Sequence, residues 1–364
     1  MIAWRTSTYA PCKEDLPVDH AMLHGVNLAG WLVLEPWVTP SLFASSGAFD
    51  EKGLEAALGH DRYVEVVAGH RSAFIGERDF RQIADRGYNA VRIPVPWTVF
   101  GKDGPMPGVD EGCIEYVDRA FTWAEAAGLQ VLLVLAAMPG GDDDPEALSN
   151  VIAMGSTLRD PVIEVVARLA ERYAERDCLI GIEPLDEPVA QRRRGLSVTP
   201  GVPMHMLRNF YRDCYEAVRD RAGDHPVVVF SCAGRPDMWN LFMAQSRYRN
   251  VWLDLHLYHY NDVVDASGPS GTRRLVERSS DAIARARRSG LPVVVGEWSS
   301  SLPVGAGTPT PEGLKAMERV YAAAQIQAFR DASGWFFQTW KTENKLSAWD
   351  ARVALSSFER GMFD

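Results

Sequence analysis

The sequence lacks an excess of positive charge, a long apolar run and any paired-cysteine metal motif. It has 38 Lys and Arg against 48 Asp and Glu, a net charge of −10, so we expect no nucleic-acid partner, since such partners require clustered cations. No apolar stretch reaches the roughly 18 residues of a membrane-spanning helix, so no membrane partner is expected. The five cysteines form no C-x-x-C or Cys/His cluster, and we predict no metal site and no cofactor.

The first residues also lack the apolar core of a secretory signal. Lys13, Glu14 and Asp15 stand where that core would lie. The odd number of cysteines is typical of buried thiols in a reducing compartment. We therefore expect a cytoplasmic protein, and the sequence leaves its oligomeric state open.

What the sequence does contain is an alternation of short apolar runs with longer amphipathic stretches. Apolar runs bounded by turn residues predict buried parallel strands. There are eight of them: Leu23–Leu28, Ala90–Val95, Gln130–Ala137, Leu179–Leu185, Pro226–Cys232, Val251–Tyr258, Leu291–Trp298 and Gly334–Thr339. The stretches with helical spacing predict eight helices: Glu77–Arg86, Asp110–Ala127, Pro161–Glu175, Met204–Arg221, Arg235–Ala244, Arg273–Ser289, Pro311–Arg330 and Asp350–Met362.

This alternation predicts an α/β protein, a (β/α)8 TIM barrel formed by one domain over residues 1–364. An open doubly wound sheet is the alternative architecture. The remaining segments are predicted to be long βα loops that line the active-site face: Glu35–Gly76, Met138–Leu158, Pro188–Pro203 and Ser299–Thr310.

Two glutamates end predicted strands. Glu187 follows the fourth strand in Glu183-Pro184-Leu185-Asp186-Glu187-Pro188, and Glu297 ends the seventh in Gly296-Glu297-Trp298. Two carboxyls that face each other across a barrel mouth suit glycoside hydrolysis, in which one protonates the leaving oxygen and the other attacks the anomeric carbon. Each glutamate alone could equally cap a helix or pair with an arginine, so the pair carries the hypothesis.

Five motifs around these glutamates resemble glycoside hydrolase family 5, especially its exo-1,3-glucanase-like branch. They are His24–Trp37, Ala90–Val95, Asp254–Tyr258, Gly296–Trp298 and Gly334–Lys341. The resemblance covers nearly the whole chain. It implies a retaining β-glycosidase that acts on an oligosaccharide, with Glu187 as the general acid/base and Glu297 as the nucleophile.

The resemblance also implies roles for the other site residues. Arg92 would orient Glu297 and keep it ionised, Tyr258 would donate to the nucleophile, and His256 would lie near the acid/base. Trp340 would stack under the reacting sugar. Glu35 would accept from hydroxyls of the terminal sugar, and Trp37 would form part of the pocket wall.

Two positions depart from the family pattern. Asp186 stands where the family has an asparagine that contacts the sugar 2-hydroxyl, and Ala136 stands where the branch has a histidine. A changed 2-hydroxyl contact suits a β-mannoside, such as mannosyl-β-1,4-N-acetylglucosamine, and we expect an exo-β-mannosidase. The alternatives are a β-glucosidase or exo-β-1,3-glucanase, and a carbohydrate-binding protein that has lost catalysis.

Overall fold

The computed structural model describes residues 22–105, 111–137, 159–194, 197–263, 266, 268–303, 310–356 and 358. Eight parallel strands close into a barrel: β1 (Leu23–Asn27), β2 (Ala90–Pro96), β3 (Gln130–Ala137), β4 (Leu179–Glu183), β7 (Val227–Ser231), β8 (Val251–Leu257), β9 (Val293–Trp298) and β10 (Gly334–Phe337). Their order around the barrel is β1-β10-β9-β8-β7-β4-β3-β2. The remaining two strands, β5 (Arg193–Arg194) and β6 (Ser197–Val198), form a small antiparallel pair. The fold is the predicted (β/α)8 barrel.

Helices lie between the strands, and the longer ones pack against the outside of the barrel. They are α1 (Pro40–Phe43), α2 (Glu51–Leu58), α3 (His60–Phe74), α4 (Glu77–Asp85), α5 (Ile114–Ala127), α6 (Arg159–Tyr173), α7 (Met204–Ala222), α8 (Pro269–Arg287), α9 (Pro311–Ala328) and α10 (Ala351–Ala354). Short 3-10 helices cover Gly101–Asp103, Pro236–Trp239 and Phe329–Asp331. Among the helices of the described residues, none has both the length and the apolar character needed to cross a membrane.

Apolar side chains fill the barrel on both sides of its wall. Alternate residues of each strand point inward, and those near the amino ends form an inner cluster: Leu23, Ala90, Leu132, Ile180, Val227, Val229, Trp252, Val294 and Phe336. The residues between them point outward and pack under the helices. The inner cluster fills the half of the barrel at the amino ends of the strands. Inside the barrel, the polar side chains of the site therefore lie toward the mouth at the carboxyl ends.

Several predicted element ends differ from the structure by a few residues, and three segments differ by more. The predicted helix Arg235–Ala244 is only the 3-10 turn Pro236–Trp239, because Leu241 and Met243 adopt left-handed backbone angles that a helix cannot continue through. The predicted loop Glu35–Gly76 contains the helices α1, α2 and α3. The predicted helix Asp350–Met362 is described only as α10, and residues 357 and 359–364 lie outside the described residues.

Other predicted segments fall partly outside the described residues. Loop 138–158 lies wholly outside them, as do residues 304–309 of the predicted loop Ser299–Thr310. The predicted helix Asp110–Ala127 is observed from Ile114, and residue 110 lies outside the described part.

Close packing of the barrel wall makes one glycine sensitive to substitution. A Cβ atom at Gly181 on β4 would lie 2.0 Å from the backbone oxygen of Val227 on the paired strand β7. Gly181→Ala should therefore destabilise the fold by about 1–3 kcal/mol, because only a backbone shift can relieve the contact. Thermal unfolding measures this as a lower Tm.

The matched control is Gly69→Ala on α3. That position is exposed, and a Cβ atom there meets nothing within 4 Å. Alanine in a helix should stabilise by roughly 0.5–1 kcal/mol relative to glycine. Equal Tm values for Gly181→Ala and the wild type would contradict the packing of β4 against β7.

Candidate active site

The charged side chains of the barrel mouth come from strands far apart in the sequence. Arg92 lies within β2, His256 within β8, Glu297 near the end of β9, and Glu187 four residues beyond β4. Parallel barrel strands all end at one face, so residues separated by hundreds of positions converge there. The structure brings all four together through hydrogen bonds and one ion pair.

Arg92 is the centre of this group and has no exposed surface. Its Nη1 donates to Glu297 Oε1 at 2.7 Å and to Asn27 Oδ1 at 2.9 Å. Its Nη2 donates to Asp186 Oδ1 at 2.6 Å and to Glu183 Oε2 at 2.9 Å. Burial opposes the charge of Arg92, but the surrounding carboxylates outweigh burial and raise its pKa well above the ordinary value. The guanidinium is therefore a permanent cation in the barrel mouth.

Glu297 is held by both of its oxygens. Arg92 donates to Oε1, and the Tyr258 hydroxyl donates to Oε2 at 2.6 Å. Burial is the largest influence on this carboxyl, and together with the negative charges of Asp186 and Glu187 it outweighs His256 and Arg92, so the pKa of Glu297 rises to about 7. The expected contact with Arg92 is present, but it does not keep the pKa of Glu297 low.

His256 lies between the two glutamates. Its Nδ1 is 2.7 Å from Glu187 Oε1 and 3.6 Å from Glu297 Oε2, and its Nε2 is 2.9 Å from Asp254 Oδ2. Burial opposes protonation, but the charges of Glu297, Asp254 and Glu187 raise the pKa of His256 well above its ordinary value. The ring is therefore an imidazolium that donates to a carboxylate from each nitrogen.

Glu187 is the most accessible acid of the group, with 60% of its side chain exposed. Its backbone has a φ of 35°, a left-handed conformation uncommon outside glycine, which is typical of residues held for function. Partial burial raises its pKa, but the His256 imidazolium outweighs this and lowers the pKa below the ordinary value. The raised pKa expected of a general acid is found on Glu297 in the free protein, and not on Glu187.

The sequence analysis assigned no role to Asp254 and Asn27, which hold the backbone of Gly296 directly before Glu297. Asp254 Oδ1 accepts from the Gly296 N–H at 2.6 Å, and Asn27 Nδ2 donates to the Gly296 carbonyl at 2.8 Å. A Cβ atom at Gly296 would lie 2.2 Å from Asp254 Oδ2, so only glycine fits. The sequence did contain a signal for such residues: Asp254 and Glu183 are acidic residues within otherwise apolar strands. Buried charges of this kind require partners.

Glu35 and Trp37 lie together beside this group. Glu35 accepts from the indole N–H of Trp37 at 2.7 Å and from the Gly30 N–H at 2.9 Å. Burial and the nearby charge of Glu297 raise the pKa of Glu35 to about 8. At neutral pH this carboxyl is therefore mostly protonated and can also donate a hydrogen bond.

Trp37 belongs to an aromatic wall formed with Tyr258, Tyr260 and Trp349. The rings of Trp37, Tyr258 and Tyr260 each lie 5.3–5.5 Å from the ring of Trp349. Trp37 and Tyr260 are 37% and 42% exposed. Since Tyr258 also donates to Glu297, the wall runs from the candidate nucleophile to the surface.

The prediction for Trp340 is wrong. Its side chain has no exposed surface, its Nε1 donates to Asp79 at 2.8 Å, and the Arg86 guanidinium lies 5.7 Å from its ring. An indole covered on this side of the barrel offers no face to a sugar. Trp340 instead fastens the chain after β10 to α4, which carries Asp79.

Among the described residues, two groups of three side chains could offer metal ligands. They are Glu183, Asp254 and His256, and Asp186, His256 and Glu297. In both groups the carboxylate oxygens already accept from Arg92 or contact His256. These carboxylates balance the charges of Arg92 and His256, which is the role the geometry gives them.

A barrel whose mouth holds two neighbouring glutamates, one exposed and one fixed by arginine and tyrosine, defines a glycoside hydrolase. The family described as "Cellulase (glycosyl hydrolase family 5)" matches residues 61–350. The chain belongs to glycosyl hydrolase family 5.

Curated relatives support the same assignment. A "Probable glucan 1,3-beta-glucosidase A" of Aspergillus clavatus is 33% identical over 95% of this chain and 88% of its own length. A "Glucan 1,3-beta-glucosidase" of Blumeria graminis is 32% identical over 90% of this chain and 84% of its own. Among solved structures, a rutinosidase from Aspergillus niger shares the fold with a TM-score of 0.74 and 18% identity, over 94% of this chain and 98% of the other.

Replacing Asp186 with asparagine tests the electrostatics of the site. Asparagine can still accept from Arg92, but the negative charge that raises the pKa of Glu297 is removed. As the candidate nucleophile, Glu297 would have to be ionised to attack, so the acid limb of the kcat/KM profile should lie near pH 7 in the wild type and at lower pH in Asp186→Asn. The control is Asp118→Asn, which changes a carboxylate paired with Arg172 outside the barrel. An acid limb that stays in place or moves to higher pH would contradict the assignment.

Replacing Trp340 with phenylalanine tests the corrected role of this residue. Trp340→Phe removes the hydrogen bond to Asp79 and should destabilise the fold by about 1–2 kcal/mol. The variant should keep kcat/KM within about threefold, because no sugar contact is lost. A large loss of kcat/KM at unchanged Tm would return Trp340 to the sugar site.

Proposed function

We propose that the protein is a retaining, exo-acting β-glycosidase that hydrolyses β-glucosides, with Glu297 as the nucleophile and Glu187 as the general acid/base. The observation that carries the proposal is that Glu297, fixed by Arg92 and Tyr258, shares the Nδ1 atom of His256 with Glu187.

The shared contact supports retention. Glu187 Oε1 and Glu297 Oε2 lie 2.7 Å and 3.6 Å from the same nitrogen, so these oxygens can be no farther apart than the two distances combined. Inverting enzymes hold their carboxyls roughly 6.5–9.5 Å apart to admit a water molecule, and retaining enzymes hold them at about 5–5.5 Å. A direct attack by Glu297 fits the shorter spacing.

The reaction proceeds in two displacements. Glu297 attacks the anomeric carbon while the bond to the leaving oxygen breaks and Glu187 gives that oxygen a proton. Water then attacks the anomeric carbon, Glu187 takes a proton from the water, and the bond to Glu297 breaks.

His256 explains how an ionised Glu187 obtains its proton. A sugar that enters the mouth displaces water from the exposed Glu187 carboxylate, and desolvation raises the pKa of a carboxyl. The proton on His256 Nδ1, 2.7 Å away, then passes to Glu187. The imidazole keeps its other proton on Nε2, toward Asp254.

A β-glucoside is favoured over a β-mannoside for two reasons. The expectation of a mannoside depended on Asp186 touching the sugar 2-hydroxyl, whereas Asp186 Oδ1 is engaged by Arg92 at 2.6 Å. The curated relatives named above are glucan 1,3-beta-glucosidases. β-Mannosides remain a comparison substrate for the test.

Exo action is supported by Glu35 and by the folded segment that follows it in the loop after β1. Glu35 lies beside Glu297 and can both donate to and accept from a terminal sugar. The segment that follows is packed around its own cluster of Leu34, Phe43, Leu54 and Val67, so a folded unit stands at this side of the cleft.

The cytoplasmic location stays a prediction.

The division of labour between the glutamates is testable by leaving-group dependence. Glu297→Ala should abolish turnover of all substrates. Glu187→Ala should lower kcat/KM roughly 10²–10⁴-fold for alkyl β-glucosides and far less for 2,4-dinitrophenyl β-glucoside, which needs little protonation. Azide should restore turnover in Glu187→Ala only, and NMR should show a β-glycosyl azide.

The control is Glu318→Gln, which changes a buried glutamate on α9 and should leave kcat/KM unchanged. Equal losses on both substrates for Glu187→Ala, or a product of inverted configuration, would refute the mechanism. A wild type faster on 4-nitrophenyl β-mannoside than on the β-glucoside would refute the sugar assignment alone.

A further inference from the structure

Gln338 occupies the inner face of the barrel at its mouth. Phe336, two residues earlier on β10, belongs to the inner cluster of the barrel. Side chains of a strand alternate between its two faces, so Gln338 points inward one layer closer to the mouth. The ladder continues through it, since the Gln338 N–H donates to the Trp298 carbonyl at 2.8 Å.

The strands on either side of Gln338, β9 and β1, both carry residues of the site. Trp298 directly follows Glu297, so the backbone bond places Gln338 beside the nucleophile's strand. On the other side, the hydroxyl of Thr339 donates to the Asn27 carbonyl at 2.7 Å and accepts from the Ala29 N–H at 3.1 Å. Asn27 in turn binds Arg92, so Gln338 is held between the two strands that fix the nucleophile and its arginine.

The amide oxygen of Gln338 is buried and unsatisfied. The residue is 6% exposed, and its Oε1 has no hydrogen-bond partner within the described ranges of the chain. Buried polar atoms of folded proteins nearly always have a partner, and an acceptor left without one costs stability. A buried unsatisfied acceptor at the mouth of a barrel enzyme indicates a partner supplied by the substrate.

The aromatic side chain predicted for this part of the cleft lies elsewhere. Trp340 is fully buried and bound to Asp79, and Trp298 is also fully buried. The inward-facing residue just after β10 is therefore an amide, which binds hydroxyl groups, and not a ring, which stacks on C–H groups.

We propose that Gln338 is a specificity-determining residue that hydrogen-bonds one hydroxyl group of the sugar bound against Glu297. A sugar hydroxyl both donates and accepts, so it can satisfy the amide oxygen. The inference rests on the proposed function for its substrate class. A site built around such a bond should reject a sugar that lacks the hydroxyl, because the amide is then left buried and unpaired.

The test is a comparison of Gln338→Met with the wild type on 4-nitrophenyl β-glucoside and its 2-, 3-, 4- and 6-deoxy analogues. Methionine has nearly the same shape without the amide. Gln338→Met should lower kcat/KM about 10- to 100-fold for the parent sugar. For one deoxy analogue, the one missing the recognised hydroxyl, the two enzymes should agree within about threefold. The Tm should stay the same or rise, because an unsatisfied acceptor has been removed.

The matched control is Gln325→Met on α9. Gln325 is fully buried and its Oε1 is also without a partner among the described residues, but it lies on a helix outside the barrel. This variant should leave kcat/KM unchanged on every sugar. A loss by Gln338→Met of the same factor on all five substrates, or no loss on any, would overturn the proposal.

Binding measurements separate this proposal from the proposed function. Calorimetry of methyl β-glucoside and its deoxy analogues compares affinity in the wild type and Gln338→Met without turnover. A wild type that hydrolyses no glycoside refutes the proposed function. The role of Gln338 would still hold if the variant weakened binding of every sugar except one deoxy analogue, and would fall if all affinities were unchanged.

Discussion

Arg92 places a full positive charge inside the barrel, where water cannot reach it. A buried charge is tolerated only when it is paired and fully hydrogen-bonded. Its partners are Asn27 on β1, Glu183 on β4, Asp186 just beyond β4 and Glu297 on β9. One side chain thus ties together strands from all around the mouth. The carboxylates that make the site reactive are therefore also the groups that make Arg92 stable.

This arrangement leaves more acids than cations at the mouth, and the excess decides where protons reside. Burial and mutual repulsion raise the pKa of Glu297 to about 7 and that of Glu35 to about 8. The same negative charges hold a proton on His256, which lies against Glu187. Catalytic competence near neutral pH is consequently a property of the whole group. Asp186, which stands where the family has an asparagine, therefore affects acids of the group such as Glu297 and Glu35 through its negative charge.

The site also shows where a resemblance in sequence can mislead. Trp340 and Gln338 are two residues apart, both just beyond β10, and only Gln338 continues the inner face of that strand. The hydrogen-bond ladder to β9 extends one residue past the end of β10, to Gln338. The regular alternation of side chains ends after that residue, and Trp340 turns toward Asp79 on α4. Asp186 likewise occupies the position of the family's asparagine, but one of its oxygens accepts a hydrogen bond from Arg92. In both cases the motif located the segment correctly and the tertiary contacts decided what the side chain does.

Local patterns in the sequence determined the barrel. Runs such as Ala90–Val95 are apolar throughout because both faces of a barrel strand are buried, and this property can be read without knowing any partner. The sequence also determined that Glu297 lies near the end of a strand and that Glu187 follows another strand, both at the mouth. It could not determine the helices within residues 40–74, whose stability depends on packing around their own cluster. Nor could it determine the burial of Trp340, the open amide of Gln338 or the proton held by His256. Those depend on contacts between residues such as Arg92 and Glu297, 205 positions apart, which only the closed barrel brings together.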